Sequence, residues 1–534
     1  MSQLSGRRPC VRLCAVVSAM VLVATLGACG GSGDADRVAG IPPAAAAVVD
    51  PAAPGAPGAG GVPAAAKGNA AAVPGQVTAP GDATAKVPAG AAKKPDKASK
   101  AAGGAAASGA GKAGGSAPAS GAGNAGGSAP ADGVTSQAKQ LDAKAAAYTV
   151  PAAKAAALSP VLIGNLGTYS GVGGILNQGT QASLRIWAAW VNARGGLNGH
   201  SVKIESYDDQ GDPSTAVSFA KQLQSKSVFA FLWNYTLFTS ATLIPAISKM
   251  GIPEIGGDDF DPAMWTTPYM FPQNAPVRTQ VGAASAYGAS LGKKVGAIWW
   301  CIEASVCKRA QETDDANGAM EAGGVKPVLN VSVSLTQPSY LSQCSTAKAK
   351  GVQFIMAHLD GASLIRAKRD CKQIGYNPLM CNVAGAVTPQ ILTAEETRGP
   401  EAMCFSVAPF AWWASDTPME KAFHDAIAKF APETPSTFGS SGVWAAGEIL
   451  RSSSTFLSAK PTREELLKGL YSVKDETFGG LTLPLTYAPN ASLDKPLPYF
   501  NCAYVAVVSD QGQWSFAPGK KLYCVSRVTD FRKI

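Results

Sequence analysis

Histidine is scarce in this chain of 534 residues, which contains only His200, His358 and His424. Their spacing fits no metal-ligand motif. The acidic run over residues 258–261 lacks the spacing of a calcium loop, and the sequence contains no phosphate-binding P-loop. The sequence therefore predicts no metal site and no cofactor.

Long apolar runs are missing beyond the N-terminus. Residues 15–26 follow three arginines and form an apolar run of about 12 residues, too short to cross a hydrocarbon core of roughly 30 Å as a helix. The run ends in Leu-Gly-Ala before Cys29, which resembles the bacterial lipobox. This resemblance implies a signal peptide over residues 1–28, lipidation of Cys29, and a chain lipid-anchored on the extracytoplasmic face of the cell membrane. An ordinary secretory signal that happens to end near a cysteine is the alternative.

Aromatic and β-branched residues are almost absent from residues 30–156, which are mainly Ala, Gly, Pro, Lys and Ser. Such a segment buries too little apolar surface to offset the entropy that ordering it would cost. We therefore expect residues 29–157 to be a disordered tether, with a reach on the order of 60 Å. A role for its lysines in binding the cell wall is the alternative.

A strong excess of one charge is missing from the remainder of the chain. The formal net charge of the whole chain is +9. Three arginines of the signal segment contribute +3, and the tail contributes +4 from eleven basic and seven acidic residues. The remaining domain therefore carries only +2. A nearly neutral domain lacks the basic surface that binds nucleic acid. We therefore expect no nucleic-acid partner.

Strands alternate with helices of about 10–15 residues from residue 158 onward, a pattern typical of parallel, doubly wound sheets. One series covers residues 161–255 and a second covers 294–409. Helices near 418–430, 442–457 and 462–470 precede a β-rich C-terminus. The fold class predicted is α/β, with two doubly wound lobes.

Three motifs in the first series follow one another in a characteristic order. Residues 167–171 read Gly-Thr-Tyr-Ser-Gly after a strand, residues 192–199 end a helix with Asn-Ala-Arg-Gly-Gly-Leu-Asn-Gly, and residues 208–213 read Asp-Asp-Gln-Gly-Asp-Pro. In order and spacing they resemble the type I periplasmic binding proteins, the leucine/isoleucine/valine-binding family of ABC transporters. The motifs also serve as framework, since glycines suit a helix end and Asp-Pro suits a helix start.

The resemblance implies two lobes joined by a hinge, with a small solute captured between them and delivered to an ABC permease by a monomeric protein. We expect residues 158–278 with about 411–485 to form lobe 1, and residues 279–410 with about 486–534 to form lobe 2. A ligand-sensing input module and a surface-interaction lipoprotein with the same fold are the alternatives.

Ligands of doubly wound sheets bind beyond the carboxyl ends of the strands. We therefore expect contacts from the loops that follow the strands in both lobes. The candidates in lobe 1 are Tyr169, Ser170, Asn234, Tyr235, Thr236, Asp258, Asp259 and Phe260, and those in lobe 2 are Trp300, Glu303, His358, Asp360 and Asn382.

The candidate loops depart from the amino-acid binders that the chain resembles. Those proteins have a Ser-rich turn after the third strand and an Ala-Thr pair after the fourth, where this chain has residues 234–236 (Asn-Tyr-Thr) and 258–260 (Asp-Asp-Phe). Their acidic partner for the ligand ammonium falls near Val383. Aromatic rings beside paired carboxylates favour a neutral or cationic, polar or partly aromatic solute over an aliphatic amino acid.

An enzymatic function is not predicted. Residues 288–292 match the Gly-x-Ser-x-Gly pattern of hydrolases, but that motif must join a strand to the helix that follows it. Here it lies between a predicted helix and the next strand, which is the reverse order.

Eight cysteines lie in the domain beyond Cys29, an even number that suggests disulfides in an exported chain. Many connectivities are open, and free buried thiols are the alternative. We predict sequential pairing: Cys301–Cys307, Cys344–Cys371, Cys381–Cys404 and Cys502–Cys524.

Overall fold

The computed structural model describes residues 131–533 except 175, 176, 178, 384, 386, 408, 520, 527 and 528. The predicted signal peptide, the lipidation of Cys29 and the tether up to residue 130 lie outside the described residues. Within the described part of the chain, no helix is both long enough and apolar enough to cross a membrane.

Lobe 1 is built on a five-stranded, wholly parallel sheet in the order β2-β1-β3-β4-β5. Its central strand β3 has the sequence Ala-Phe-Leu-Trp-Asn and is buried throughout, as expected where helices cover both faces of a parallel sheet. The strands are β1 Leu158–Gly167, β2 His200–Asp208, β3 Ala230–Asn234, β4 Glu254–Gly257 and β5 Met270–Phe271.

Lobe 2 is built on an eight-stranded sheet in the order β12-β11-β10-β9-β8-β6-β7, with β13 also paired to β11. Strands β6 to β10 are parallel, and β11 runs antiparallel to β10, β12 and β13. The strands are β6 Val295–Cys301, β7 Lys326–Val333, β8 Phe354–His358, β9 Leu379–Val383, β10 Met403–Val407, β11 Cys502–Val508, β12 Trp514–Phe516 and β13 Leu522–Cys524.

Fifteen α-helices are assigned within the described residues. They are α1 Ala131–Ala146, α2 Gly171–Gly174, α3 Thr180–Asn192, α4 Pro213–Ser225, α5 Ser240–Lys249, α6 Ala263–Thr266, α7 Val277–Ser290, α8 Ser305–Asn317, α9 Ala319–Ala322, α10 Leu341–Ala349, α11 Gly361–Gln373, α12 Gln390–Thr393, α13 Pro418–Phe430, α14 Phe438–Ser453 and α15 Arg463–Tyr471.

The chain crosses between the lobes more than once. Helix α7 packs on β9, β10 and β11 of lobe 2, whereas α14 packs on β3, β4 and α3 of lobe 1. After α14 and α15, the chain adds strands β11, β12 and β13 to the lobe 2 sheet. The prediction of two doubly wound α/β lobes is confirmed.

The framework motifs have local physical causes. The Asp212 side chain accepts a hydrogen bond from the Thr215 N–H and caps α4, with Pro213 at the first helical position. Gly196 has φ +63°, and a Cβ there would clash with the His200 carbonyl. Only glycine fits this turn between α3 and β2 without strain.

Residues 131–146 form a helix and are not part of the disordered tether that composition predicted for residues 29–157. Helix α1 places Ala138 and Leu141 against Leu522 and its neighbours, and Ala145 is buried. Two residues after the helix, the Tyr148 hydroxyl donates to Glu448 at 2.8 Å. The apolar face of this short helix anchors it to the domain, a feature that the average composition of the tail concealed.

The structure contains the four disulfides of the sequential pairing, and all of them lie in lobe 2. Two follow directly from strand register, since Cys381 stands beside Cys404 in the β9–β10 pair and Cys502 stands opposite Cys524 in the β11–β13 pair. Within the described residues, lobe 1 has no such covalent link.

Candidate functional site

A cavity lies between the two lobes, where the carboxyl ends of their strands face each other. The loops after β3 and β4 form its lobe 1 wall, and the residues at and after the ends of β6, β7, β8 and β9 form its lobe 2 wall. The lining residues are Tyr235, Leu237, Phe238, Phe260, Cys301, Ala304, Val306, Cys307, Ala310, Leu335, His358, Leu359, Asp360, Asn382, Val383 and Gly385. This is the position at which doubly wound folds hold their ligands.

Most of this wall is apolar, including the Cys301–Cys307 disulfide. Helix α8 contributes Val306 and Ala310 to it, and Ala304 immediately precedes that helix. Among the described lining residues there is no lysine and no arginine. The wall therefore differs from the polar, acidic site that the sequence predicted.

Tyr235 reaches the cavity from a strained strand end. Trp233, two residues earlier, has φ +53°, an unusual value for a bulky side chain, and its carbonyl accepts a hydrogen bond from Asn165 at 2.8 Å. The Trp233 ring stacks on Tyr235 at 5.6 Å, and Phe438 meets Tyr235 edge-on at 5.4 Å. These contacts fix the orientation of the phenol ring.

The Tyr235 hydroxyl is buried and has no hydrogen-bond partner among the described residues. Burial, followed by the charges of Asp259 and Asp258, raises the pKa of this phenol well above its usual value. The group is therefore a neutral O–H that can donate to a bound molecule.

His358, the last residue of β8, is 4% exposed and faces the same cavity. Its Nε2 lies 2.9 Å from an Asp314 carboxylate oxygen, and its Nδ1 has no hydrogen-bond partner among the described residues. A carboxylate oxygen accepts, so Nε2 carries the proton of this hydrogen bond, and in the matching neutral tautomer Nδ1 is a hydrogen-bond acceptor.

Two further polar side chains line the cavity but are already engaged with the backbone. The Asp360 carboxylate accepts hydrogen bonds from the Ala362 and Ser363 N–H groups and caps α11. The Asn382 amide donates to the Leu359 carbonyl at 2.8 Å and accepts from the Val383 N–H at 2.7 Å. Neither is free to hold a charged ligand without giving up a structural bond.

The paired carboxylates at Asp258 and Asp259 lie behind the cavity wall and do not line it. Asp258 accepts from the Phe260 N–H at 3.0 Å, which directs the Phe260 ring into the cavity. Asp259 is held by the side-chain amides of Asn274 at 2.6 Å and Gln280 at 2.7 Å. Their expected role as ligand contacts is not supported by this geometry, because the turn points only its aromatic residue toward the cleft.

Burial changes the protonation of this carboxylate group. It raises the pKa of Asp258 to about 6 and that of Asp259 to about 7, with neighbouring carboxylates adding to both shifts. The nearby Glu254 has its pKa raised to about 8, chiefly by burial and then by Asp258 and Asp261. With pKa values raised in this way, these carboxyls are partly protonated near neutral pH and are a poor anchor for a cation.

The two lobes contact each other beside the cavity. Arg309 of α8 forms an ion pair with Asp261 of the lobe 1 loop. The Ser305 hydroxyl, also on α8, donates to the Leu237 carbonyl at 3.4 Å. These contacts join the lobes across the mouth of the cleft.

The remaining predicted residues are part of the framework and do not line the cavity. Tyr169 donates to Asn165 at 2.6 Å, and the Trp300 indole donates to Asn330 at 2.9 Å. Four others make structural contacts: Ser170 with Asp208, Asn234 with the Leu166 N–H, Thr236 with the Thr239 and Ser240 N–H groups through its carbonyl, and Glu303 with the Leu335 N–H.

Sequence reasoning missed the apolar members of the wall, such as Leu237, Phe238 and Leu335. They follow strand ends, as the predicted residues do, but an apolar residue at that position is also typical of a core. Residue type alone therefore does not distinguish a residue that lines the cavity from one that belongs to the core. The Gly-x-Ser-x-Gly motif lies at the end of a helix, as the sequence predicted. Its Ser290 is the last residue of α7 and donates to the Tyr287 carbonyl at 2.6 Å.

Comparison with known proteins gives one family and many similar folds. The sequence pattern of the family described as periplasmic binding protein matches residues 160–513. A search of curated proteins found no match.

Solved structures similar to this chain are substrate-binding proteins. One is a fatty acid ABC transporter substrate-binding protein from Thermomonospora curvata, 18% identical over 70% of this chain and 95% of its own, with a TM-score of 0.58. Another is an ABC transporter solute binding protein from R. palustris in complex with benzoate, 14% identical over 68% and 97%, with a TM-score of 0.56. A leucine binding protein from Thermotoga maritima is 15% identical over 68% and 99%, with a TM-score of 0.53. At these identities the likeness shows the fold alone.

Proposed function

The chain belongs to the periplasmic binding protein family, and on that premise we propose that it is an extracytoplasmic lipoprotein that captures a small solute between its lobes and delivers it to an ABC permease. The observation that carries the proposal is the interlobe cavity, whose wall combines residues from both lobes. A solute held there would link the two lobes and favour their closed arrangement. Closure of this kind is a signal that a permease can read.

Catalysis is not part of the proposal. The cavity offers Tyr235 and His358 as hydrogen-bonding groups, but the described wall includes no serine and no threonine. Ser290 lies at the end of a helix, and its hydroxyl is bonded to its own helix backbone. The polar groups of the wall suit the binding of a solute.

A thermal-shift screen of the full-length chain tests the binding function. The screen should contain amino acids, sugars, polyamines, fatty acids, aromatic acids and neutral aromatics, because the similar structures include binders of leucine and benzoate. A ligand present at 100 times its Kd stabilises the folded state by about 2.7 kcal/mol. A clear rise in Tm with one class of solute supports the proposal, and no rise with any class counts against it.

The cavity is tested by two Phe→Ala variants. Phe260→Ala removes an aromatic ring from the wall, and Phe456→Ala removes a ring that is 40% exposed and is not among the residues lining the cavity. We expect the first to weaken binding of the hit from the screen by about tenfold or more, since burying a Phe is worth about 1.5–3 kcal/mol. Equal affinities for both variants would place the ligand elsewhere.

Membrane anchoring is a separate part of the proposal and rests on the sequence around Cys29. Metabolic labelling with radioactive palmitate should mark the wild-type chain, and Cys29→Ser should abolish both the label and the membrane association. A Cys29→Ser chain that stays with the membrane fraction would contradict a lipid anchor.

A further inference from the structure

We propose that the interlobe cavity takes an uncharged, mainly apolar solute that carries one hydroxyl group, which accepts a hydrogen bond from Tyr235 and donates one to His358. This inference rests on the proposed function, since it assumes that the cavity is the solute site. It replaces the polar or partly aromatic solute expected from sequence with a mainly apolar solute that carries a hydroxyl group.

Charge is the first restriction on the ligand. The described lining residues include no lysine and no arginine to pair with a carboxylate. The one carboxylate on the wall, Asp360, already caps α11, and Asp258 and Asp259 lie behind the wall. A carboxylate transferred from water into this cavity would lose its hydration without gaining a counter-ion, and a cation would find only Asp360, whose carboxylate already accepts two backbone hydrogen bonds. The wall thus disfavours amino-acid zwitterions, carboxylates and ammonium ions.

Hydrogen bonding is the second restriction. The Tyr235 hydroxyl and His358 Nδ1 are more than nine-tenths buried, line the same cavity and have no partners among the described residues. A buried polar atom left without a partner costs about 1–3 kcal/mol, so both atoms gain from a ligand that satisfies them.

The two groups are complementary to a single hydroxyl. The Tyr235 phenol is neutral and donates its proton. In the neutral tautomer in which His358 donates from Nε2 to Asp314, a lone pair on Nδ1 can accept. A ligand hydroxyl placed between them would accept from the phenol and donate to the imidazole. An ether oxygen satisfies only Tyr235, and a methyl group satisfies neither.

The apolar residues that line the cavity indicate the chemical character of the rest of the ligand. The rings of Phe238 and Phe260 face it together with aliphatic side chains from lobe 2, such as Val306 and Leu359. Aromatic walls pair with a ligand ring by offset or edge-on contact, in addition to the gain from burying its surface. A ring that bears one hydroxyl matches both parts of the site.

Calorimetric titration of the full-length chain with two pairs of solutes, each pair matched in shape, tests this inference. Para-cresol and para-xylene differ by a hydroxyl in place of a methyl group, and para-methylanisole and para-ethyltoluene differ by an ether oxygen in place of a methylene. We expect para-cresol to bind about tenfold more tightly than para-methylanisole, and para-methylanisole about tenfold more tightly than para-ethyltoluene.

Two Tyr→Phe variants test whether the difference in affinity depends on the Tyr235 hydroxyl. Tyr235→Phe should abolish the difference between para-methylanisole and para-ethyltoluene while leaving the stability of the ligand-free protein equal or higher, because this hydroxyl has no partner among the described residues. Tyr376→Phe is the matched control, since its hydroxyl donates to the Val352 carbonyl at 2.8 Å and it is not among the residues lining the cavity. It should lower stability and keep all four affinities.

The outcomes separate this inference from the proposed function. Equal affinity for para-cresol and para-xylene overturns the hydrogen-bonding pair. Tighter binding of leucine, benzoate or laurate than of para-cresol overturns the ligand class and leaves the binding function standing. No binding by any solute in the titrations or the broader screen overturns both.

Discussion

Replacing Glu254 with glutamine should reduce the loss of stability that this protein undergoes as the pH rises. Glu254 begins β4 and is 1% exposed, and burial with the neighbouring Asp258 and Asp261 raises its pKa to about 8 from an ordinary value of 4.5. The folded state therefore keeps the proton in a pH range where the unfolded chain has lost it. For a carboxyl with a raised pKa, stability is complete below the unfolded pKa and declines as the pH rises toward the folded one.

The magnitude follows from one proton. Between about pH 5 and pH 7 the folded state binds one more proton at Glu254 than the unfolded state, which costs about 1.4 kcal/mol per pH unit and about 2.7 kcal/mol over the interval. Asp258 and Asp259 act in the same direction, so the variant should retain a smaller slope. The interval ends at pH 7 because burial lowers the pKa of Lys368 to about 7, which adds stability as the pH rises further.

The assay is urea unfolding at pH 5, 6 and 7, followed by tryptophan fluorescence. Glu254→Gln should lower the slope of unfolding free energy against pH by about 1.4 kcal/mol per unit relative to wild type. Glu321→Gln, a change at an exposed residue of α9, serves as the control and should leave the slope unchanged. Parallel slopes for wild type and Glu254→Gln would refute the reasoning, because Glu254 would then ionise alike in both states.

Three further predictions concern packing, charge and covalent links. Glu448→Gln should destabilise the protein by about 3 kcal/mol in urea unfolding, because it leaves the largely buried Arg451 without its counter-ion at 2.6 Å. The control Asp425→Asn breaks an exposed ion pair with Lys421 and should cost under about 1 kcal/mol. Similar costs for the two variants would contradict a buried pair. Gly442→Ala should cost about 1–3 kcal/mol in the same assay, since a Cβ there would clash with the Trp233 ring, and an unchanged midpoint would show that the ring can move aside. Alkylation of the unfolded, non-reduced chain should label none of the eight cysteines of lobe 2, and mass analysis after reduction should find all eight labelled; eight labels before reduction would contradict the disulfides.

Local signals in the sequence predicted much of the fold. Helix α4 begins at Pro213, as the Asp212-Pro213 start signal predicts. Helix α14 begins four residues earlier than predicted, because Thr437 caps it by accepting from the Ser440 N–H and that start signal was not recognised. The same local rules fail for α1, whose helix is stabilised by packing of Ala138 and Leu141 against residues more than 300 positions away.

The candidate site was less predictable than the fold. Topology correctly indicated that the loops after β3, β4 and β8 would border the cleft, and Tyr235, Phe260 and His358 do line the cavity. It did not indicate which side chain of each loop faces inward, since consecutive residues of a turn point in different directions. Asp259 is therefore turned away from the cavity while its neighbour Phe260 lines it. The apolar character of the wall was hidden because its residues resemble those of any core.

A crystal structure of the full-length chain with para-cresol tests the central claim most directly. The solute should occupy the cavity between the lobes, with its hydroxyl within hydrogen-bonding distance of both the Tyr235 hydroxyl and His358 Nδ1. A solute bound outside the interlobe cavity, or one that displaces the amides of Asn274 and Gln280 to reach Asp259, would contradict this account.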